Sequence, residues 1–510
     1  MKRRDFIKRS VEVGAILPIA SSGLFARPLA HSFYKNLSAA DGRVLVLINL
    51  NGGNDGLNTI VPFEDPVYYA ARPVLGIDGS ELLPLSESLG FHPSMGGMAN
   101  LFADDQLAVI NNVGYDEHNR SHFRSTDIWH TSSDQDEILF TGWLGRYLQH
   151  IHPEYPTTLP SAPYALQISS STTLALLSER GNMGIALENP ERFYRLANGL
   201  DVEPTPLPST QAGPELEYVR SVIAQSDSFA RSINDAMNSG VNNATYMTDM
   251  LSQQLQLVGR LINGGLTTSV FVVTLGGFDT HSTQLASHAL LLSYLSTAVA
   301  SFLDDMQQAG NGDRVVMASY SEFGRRLNEN GSFGTDHGAA APQFVMGAPV
   351  RGGQVIGGNP DLVNLDNRGD LLHTIDYRSI YASLLHGWLG LSLPDTDTLL
   401  GGAFPQLPLF STSSADNRRV AGGDVLSLER AVPDPAPVET TIPFTLRKGS
   451  NISLVVTSVD GRRVHESAEI YYGEGRHGMR VETRGWPAGK YLYTVRADGF
   501  AVTKSLTVAR

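Results

Sequence analysis

The chain contains no cysteine among its 510 residues. This absence excludes disulfide bonds, cysteine-ligated zinc, iron–sulfur clusters and thiol nucleophiles. Any transition metal would have to be held by histidine nitrogen or by the oxygens of aspartate, glutamate, asparagine or hydroxyl groups. A metal site in this protein would therefore be built from nitrogen and oxygen ligands alone.

An excess of basic residues and long apolar runs are also missing. The formal net charge of −14 argues against nucleic acid or an anionic membrane as the main partner, although it leaves room for a local basic pocket. No run reaches the roughly 20 apolar residues of a membrane-spanning helix, so we expect no transmembrane span. With 42% hydrophobic and 18% charged residues, the chain is typical of a globular protein with a large core and an accessory domain.

The N-terminus has the features of an export signal. Arg3-Arg4-Asp5-Phe6-Ile7-Lys8 has the twin-arginine pattern, and a modest apolar stretch at residues 11–25 follows it. Cleavage between Ala26 and Ala30 would remove this segment. We therefore predict a twin-arginine signal peptide at residues 1–30 and export by the twin-arginine machinery. The alternative is a basic amphipathic helix of the mature protein.

Residues 41–410 alternate apolar, strand-like runs with helix-like stretches. Residues 285–306 predict one long helix, because apolar residues recur at three- and four-residue spacing. Residues 215–261 predict two helices interrupted near Gly240. This alternation favours an α/β fold with a doubly wound, mostly parallel sheet.

The character of the chain changes after this domain. Residues 411–440 are rich in serine, aspartate and proline, which predicts a linker. Residues 441–510 alternate apolar and polar side chains, and Asp460-Gly461 is a hairpin turn signal. This pattern predicts a small all-β sandwich of about seven strands.

Several apolar runs of the α/β domain are followed by loops that contain glycine with aspartate or with aspartate and histidine. The loops are Gly52-Gly53-Asn54-Asp55-Gly56, Gly276-Gly277-Phe278-Asp279-Thr280-His281 and Gly334-Thr335-Asp336-His337-Gly338. His373, between two aspartates, is a further candidate. Ligands gather at the carboxyl ends of the strands in an open parallel sheet, so we expect these loops to converge.

The pair Asp336-His337 offers a hard oxygen and a borderline nitrogen to one divalent ion, which suits zinc and manganese. Taken alone, the pair has an alternative interpretation as a turn with a structural aspartate and a surface histidine. The other loops supply the partners that a metal site needs.

A set of motifs between residues 51 and 379 resembles the family labelled domain of unknown function 1501. These are twin-arginine-exported proteins placed near the alkaline phosphatase and sulfatase superfamily, so the resemblance implies an alkaline phosphatase-like fold. The motifs are Asn51-Gly52-Gly53-Asn54-Asp55-Gly56-Leu57-Asn58-Thr59, Asn119-Arg120-Ser121-His122-Phe123 with Asp127-Ile128-Trp129-His130, Thr141-Gly142-Trp143-Leu144-Gly145-Arg146, Gly277-Phe278-Asp279-Thr280-His281, Ser321-Glu322-Phe323-Gly324-Arg325, Thr335-Asp336-His337-Gly338 and Asp376-Tyr377-Arg378-Ser379.

The resemblance implies one or two divalent metals that clamp the attacking and leaving oxygens of an in-line displacement. The matching positions are Asp55, Asp336 and His337 for one site and Asp279, His281 and His373 for the other. Zinc, manganese, calcium and magnesium all remain open as the metal.

The resemblance also implies a nucleophilic serine or threonine at a helix N-terminus, where a metal and the helix dipole favour the anion. Ser121 fits best and Ser125 is second, and the alternative is that both cap a helix or lie on the surface. Arg120, His122 and Arg124 predict a positive patch for phosphate or sulfate. A structural helix face is the alternative for that patch.

The C-terminal module resembles the sorting domain of type IX secretion. Pro433-Asp434-Pro435 stands where that family has Pro-Asn-Pro, and Gly489-Lys490-Tyr491 matches as well. The resemblance implies the type IX secretion machinery as a partner and a location in the periplasm, then at the cell surface or outside the cell. A generic fibronectin-like accessory domain is the alternative.

Two functions follow from these features. The first is an exported metal-dependent hydrolase of phosphate or sulfate esters, acting on a small molecule or a polymer, in which Ser121 or a water attacks the ester. The alternative is a non-catalytic secreted or surface binding protein that retains the alkaline phosphatase-like fold.

Overall fold

The computed structural model describes residues 42–198, 227–410, 426–446, 448–458, 462–497 and 500–509. The predicted signal peptide, half of the predicted linker and the predicted turn at Asp460-Gly461 lie outside these ranges. The described residues form an α/β domain that extends to residue 410 and an antiparallel β module that begins at Leu426.

A nine-stranded sheet lies at the centre of the α/β domain. Its strands are β1 (Val44–Asn51), β2 (Leu107–Gly114), β3 (Ala165–Gln167), β4 (Gly184–Ala186), β5 (Val270–Gly276), β6 (Val315–Tyr320), β7 (Ala341–Met346), β8 (Gln354–Ile356) and β9 (Ile375–Asp376). The order is β8-β2-β7-β6-β1-β5-β3-β4, with β9 also beside β2. Among these strands, β7 alone runs against the others. The predicted α/β class with a mostly parallel sheet is confirmed.

Helices and short hairpins surround this sheet. The helices span Gly56–Thr59, Pro66–Ala71, Gly96–Ala103, His122–Thr131, Trp143–Ile151, Pro190–Asn198, residues 227–239, Met250–Asn263, Gln284–Gln308, Tyr377–Ser383, the π-helical turn Leu384–Trp388, and Leu393–Leu400. Short 3-10 turns lie at Gly79–Glu81, Leu174–Leu176 and Gly312–Arg314. The small strands are Ile60–Val61, Leu83–Pro84, Gly90–Phe91, Leu177–Ser178, Gly181–Asn182, Arg325–Glu329 and Thr335–His337. The predicted long helix and the predicted break near Gly240 are both confirmed.

The apolar character of β1 on both faces explains why helices lie on both sides of the sheet. Val46 and Ile48 belong to one hydrophobic core, whereas Leu45 and Leu47 belong to the other. Successive side chains of a strand point to opposite faces, so a run that is apolar on both faces, here residues 44–48, must be covered on both sides.

One helix among the described residues, Gln284–Gln308, is long and apolar enough to cross a membrane by length and composition. In this structure it packs against the helices Met250–Asn263 and Gly96–Ala103. Its Asp305 is fully buried and accepts a hydrogen bond from Tyr246 Oη at 2.8 Å. These contacts are those of a core helix.

The C-terminal module consists of two antiparallel sheets around its own apolar core. Its strands are Leu426–Leu428, Glu439–Leu446, Ser450–Ser458, Arg463–Glu466, Ile470–Tyr472, Gly475–Glu482, Gly489–Ala497 and Phe500–Val508. The strand Leu426–Leu428 lies within the segment that the sequence predicts as a linker, and it pairs with Glu439–Leu446. The sheet therefore begins earlier than the predicted start at residue 441.

The module is docked on the α/β domain through charged contacts. Glu87 of the α/β domain is nearly buried and forms ion pairs with Arg496 and Arg463 of the module. Lys490 Nζ of the module lies 2.9 Å from Asp104 Oδ1. The two units are thus held together by more than the chain that joins them.

Neutralising Glu87 is expected to loosen this docking. Because both arginine partners are about half exposed, Glu87→Gln should cost about 1–2 kcal/mol rather than the larger loss of a fully buried pair. Calorimetric unfolding would show the module melting earlier and separately. Glu429→Gln, which removes an exposed pair with Arg476 inside the module, is the matched control, and equal effects of the two changes would contradict this docking.

Buried His130 predicts acid sensitivity of the fold. Burial lowers the pKa of His130 to about 4, below the unfolded value near 6.5. The stability that this neutral ring contributes is therefore complete above pH 6.5 and is lost as the pH falls from 6.5 towards 4, by at most about 1.4 kcal/mol per pH unit. Urea unfolding of the wild type and of His130→Phe at pH 7.5, 6 and 5 should show a shallower decline in the variant. Parallel declines would rule out this contribution.

Candidate metal centre

The loops of the site begin at one edge of the central sheet. Asn51 at the end of β1 pairs with Gly276 at the end of β5, and β6 is in register on the other side of β1. Gly52 then opens the first loop at φ +122°, and a Cβ there would lie 2.4 Å from the backbone nitrogen of Asp279. Glycine is required at this position because it tolerates that φ and lets the two loops pass so closely.

The carboxylate of Asp279 lies at the centre of the site. His281 Nε2 is 3.0 Å and His337 Nε2 is 3.1 Å from Asp279 Oδ1, and these two nitrogens are 2.9 Å apart. His122 Nε2 lies 3.5 Å from the other oxygen, Oδ2. Asp279, His122, His281 and His337 are called the Asp279 cluster below. The Asp279 side chain is 48% exposed, so a solute can reach the cluster.

Nδ1 of each histidine in the cluster contacts an oxygen acceptor that lies outside the cluster. The contacts are His122 to Glu322 Oε1 at 2.9 Å, His337 to the Arg120 carbonyl oxygen at 2.9 Å, and His281 to Asp336 Oδ1 at 3.4 Å. In a neutral ring that donates from Nδ1, Nε2 carries a lone pair. Three lone pairs then face one carboxylate. The lone pairs and the carboxylate repel one another unless a positive charge lies between them. Metal-binding histidines are oriented in the same way, by a second acceptor on the far ring nitrogen.

Arg325 fixes Asp279 from the interior. Its buried guanidinium donates to Asp279 Oδ1 at 2.8 Å and to the carbonyl oxygens of Gly53 and Thr335, so it connects two loops with the strand Thr335–His337. Burial raises the pKa of Asp279, but the hydrogen bond and the positive charge of Arg325 outweigh burial and lower the pKa to about 2. Asp279 is therefore ionised over the neutral and mildly acidic range.

The donor atoms of the cluster fit a divalent metal ion. Zinc–ligand distances near 2.0–2.1 Å place the ligand atoms of a tetrahedral site roughly 3.3 Å apart. The three histidine–Asp279 separations and the His281–His337 separation run from 2.9 to 3.5 Å, and the ligand atoms of His122, Asp279 and His337 all lie within 4.8 Å of one another. Three imidazoles with one carboxylate suit zinc or manganese better than calcium, which prefers oxygen ligands. Glu322, Asp336 and the Arg120 carbonyl would orient the ligands.

Asp55 lies apart from the cluster in a closed ion pair. Its fully buried carboxylate accepts hydrogen bonds from Arg72 Nη1 at 2.7 Å and from Arg72 Nη2 at 3.0 Å. The side-chain amide of Gln284 donates a further hydrogen bond to it. Burial raises the pKa of Asp55, but the charge and hydrogen bonds of Arg72 lower it overall. The sequence grouped Asp55 with Asp336 and His337, but in the described part of the chain no hydrogen bond or ion pair joins Asp55 to either residue. The cation beside Asp55 is a guanidinium.

His373 is also separate from the cluster. Its Nε2 lies 3.7 Å from Asp116 Oδ1, and within the described ranges it makes no hydrogen bond or ion pair with the cluster. Among the predicted metal ligands, the structure thus brings together Asp279, His281, Asp336 and His337, whereas Asp55 and His373 lie elsewhere.

The two candidate nucleophiles differ in whether their hydroxyl groups are exposed or already hydrogen-bonded inside the fold. Ser121 is exposed at the start of the helix His122–Thr131, and its side chain makes no capping hydrogen bond. Ser125 is fully buried, donates to the Glu322 carbonyl oxygen and bonds Tyr115 Oη at 2.8 Å. Ser121 is therefore accessible to a substrate, whereas Ser125 is committed to the fold.

The predicted anion-binding residues have different roles. His122 joins the Asp279 cluster. The Arg120 guanidinium donates to Asp370. Arg124 donates to the backbone carbonyl oxygens of Asp134, Gln135 and Glu137, so it clamps a loop instead of facing the cluster.

Glu322 is the site residue that sequence reasoning did not assign. It lies two residues after the end of β6, is nearly fully buried, and through Oε1 contacts both His122 Nδ1 and the Gly52 backbone nitrogen. An acidic residue two positions after a mostly apolar strand, at the same sheet edge as the loop of Asp279, was the signal that could have identified it.

Similar proteins of known structure have low identity to this chain. The sulfatase PsFucS1 from Pseudoalteromonas sp. is similar over 87% of this chain and 84% of that chain, at 10% identity and a TM-score of 0.33. A protein in the alkaline phosphatase superfamily from Vibrio parahaemolyticus is similar over 88% of this chain and 85% of that chain, at 8% identity and a TM-score of 0.28.

One further solved structure and one family model are also similar to parts of this chain. A DUF3244 family protein from Bacteroides vulgatus with an immunoglobulin-like β-sandwich fold is similar over 16% of this chain and 94% of that chain, at 15% identity and a TM-score of 0.12. No curated protein matches the chain. Residues 226–393, which include Asp279, Glu322 and His337, match the model of the family described as protein of unknown function (DUF1501).

Proposed function

We propose that this protein is an exported metal-dependent hydrolase of phosphate or sulfate esters. The observation that carries the proposal is the convergence of His122, His281 and His337 on Asp279 through Nε2, with each Nδ1 held by an oxygen acceptor. A divalent ion bound there would polarise an ester oxygen and stabilise the charge that develops on it.

The residues of the chain would bind the ester and supply the nucleophile. Ser121 is adjacent in sequence to His122 of the cluster and precedes a ten-residue helix. Backbone N–H groups at a helix N-terminus favour an anion, so this end of the helix can hold the ester oxyanion beside the Ser121 hydroxyl. We assign Ser121 as the nucleophile.

The setting of the reaction is part of the proposal. The twin-arginine pattern at residues 1–30 supports export as a folded, metal-loaded protein, and the likeness of the C-terminal module to a type IX sorting domain supports passage from the periplasm to the cell surface or beyond. The substrate is a small-molecule or polymer ester.

Elemental analysis of the purified protein, coupled to a screen of phosphate and sulfate monoesters and diesters, tests the proposal. We expect a bound divalent metal and hydrolysis of one ester class, with loss of hydrolysis after chelation. Ser121→Ala should retain the metal and lose at least about two orders of magnitude in rate. Protein that holds no metal and cleaves no ester would overturn the proposal.

One observation favours the alternative of a non-catalytic binding protein. Arg325 already neutralises the carboxylate of Asp279 in the cluster, and Arg72 neutralises that of Asp55 outside it, so both aspartates that a two-metal enzyme would use for ions already have a guanidinium as partner. Metal binding without hydrolysis in the screen would support this alternative.

A further inference from the structure

We propose that Arg120 and Arg326 form an oxyanion subsite beside the Asp279 cluster, organised by the buried carboxylate of Asp370. The subsite would take a second sulfate or phosphate group of the substrate, next to the ester that is cut. This inference rests on the proposed function and adds that the substrate carries at least two anionic groups.

One buried carboxylate positions both guanidinium groups. Asp370 is fully buried, and its Oδ2 accepts from Arg120 Nε at 2.9 Å and from Arg120 Nη2. His118 Nε2 lies 2.6 Å from the same oxygen. The other oxygen, Oδ1, lies 3.6 Å from Arg326 Nε. Asp370 therefore brings two arginines from distant parts of the chain to one place.

The arginines around Asp370 favour binding of an anion over binding of a metal ion. His118, Asp366 and Asp370 lie close enough to hold an ion, but the two arginines already neutralise Asp370 and would repel another cation. Arg368, whose Nη1 donates to the His118 carbonyl oxygen at 3.3 Å, adds a third positive charge. The carboxylates here are Asp366, Asp370 and, beside Arg326, Asp336, so the three arginines balance the local acidic charge in a chain whose net charge is −14.

Both arginines retain unused hydrogen-bond donors. Within the described part of the chain, Nη1 of Arg120 and Nη1 of Arg326 make no hydrogen bond. Arg326 Nε is buried without a hydrogen-bond partner, as is Asp370 Oδ1, and Arg326 Nη2 makes one long bond of 3.3 Å to the Arg368 carbonyl oxygen. The planar fork of a guanidinium with free N–H groups matches the oxygens of sulfate or phosphate.

The subsite is linked to the metal ligands and yet distinct from them. Arg326 lies on the strand Arg325–Glu329, which pairs with the strand Thr335–His337. The Arg120 carbonyl oxygen accepts from His337 Nδ1, whereas the Arg120 guanidinium turns to Asp370. Asp279 has its own cation in Arg325. The two guanidinium groups are thus free to bind a group other than the one held by the cluster.

The test compares Arg326→Met with the wild-type full-length protein loaded with metal. The probes are inorganic sulfate and inorganic phosphate, measured by calorimetry, and ester pairs that carry one or two anionic groups. We expect Arg326→Met to weaken anion binding at least ten-fold and to raise KM for the doubly charged ester ten-fold or more. The kcat for the singly charged ester should change less than about three-fold, and Arg326→Lys should restore part of the binding.

The matched control is Arg476→Met, which removes an exposed arginine paired with Glu429 in the β module and should change none of these values. Unchanged KM and anion affinity in Arg326→Met, with metal bound and esters cleaved, would overturn the subsite and leave the hydrolase intact. A protein without metal or hydrolysis would instead overturn the proposed function. Equal losses in Arg326→Met and Arg476→Met would point to long-range charge and also reject the subsite.

Discussion

Replacing Asp279 with alanine is expected to remove the bound metal and to lower ester hydrolysis on the order of 10³-fold or more. Asp279 is the carboxylate on which His122, His281 and His337 converge. Without it, three neutral imidazoles lack the negative charge that balances a divalent ion. Elemental analysis and kcat/KM on the ester found by screening would measure the two losses.

A second variant at Asp279 and a control at Asp116 separate the loss of metal binding from a loss of folding stability. Asp279→Asn keeps the shape of the side chain and can still accept from Arg325, so we expect it to lose metal while it loses less unfolding free energy than Asp279→Ala. Asp116→Ala is the matched control, because Asp116 is 98% exposed and contacts only His373 among the described residues. It should change the rate less than about two-fold. Full metal content in Asp279→Ala would contradict the assignment of the cluster.

Replacing Arg72 with methionine is expected to cost about 3–5 kcal/mol of stability. Arg72 and Asp55 have no exposed side-chain surface and form two hydrogen bonds with each other. The substitution leaves the Asp55 carboxylate buried without its cation, which is the costly half of a broken pair. Urea unfolding with intact metal would measure the loss.

A double substitution shows whether the ion pair is the cause. Arg72→Met with Asp55→Asn removes both charges, so it should recover part of the stability that Arg72→Met loses. Because Asp55 already has a guanidinium as its partner, Asp55→Asn alone should leave the metal content of the protein unchanged. Loss of one metal ion per chain in Asp55→Asn would show instead that Asp55 is a ligand.

Much of the architecture could be predicted from the chain itself. The apolar run at residues 44–48 of β1 and the three- and four-residue periodicity of Gln284–Gln308 identify a sheet covered by helices, because these periods depend on local geometry alone. The same logic placed Asp279 and the pair Asp336-His337 at one sheet edge. The start of the C-terminal module was harder to predict from the sequence, since Leu426–Leu428 becomes a strand only through its pairing with Glu439–Leu446.

The partners of each charged side chain could not be predicted in the same way. Asp55 and Asp279 both follow apolar strands in glycine-bearing loops, yet Asp55 pairs with Arg72 and Asp279 with three histidines. Nothing in the local sequence distinguishes the two loops. The difference arises because Arg72 comes from a separate helix–loop segment that the fold brings against Asp55.

The sequence by itself determined the fold class and limited the ligands of any metal site to nitrogen and oxygen, since the chain has no cysteine and has acidic and histidine-bearing loops after apolar strands. The tertiary structure alone decided which of those residues meet. It directed Nε2 of His122, His281 and His337 towards Asp279, buried Glu322 behind His122, and enclosed Asp55 with Arg72. The reason is physical: ligand sets and ion pairs depend on distances of a few ångströms between segments far apart in the chain, and local sequence patterns do not encode those distances.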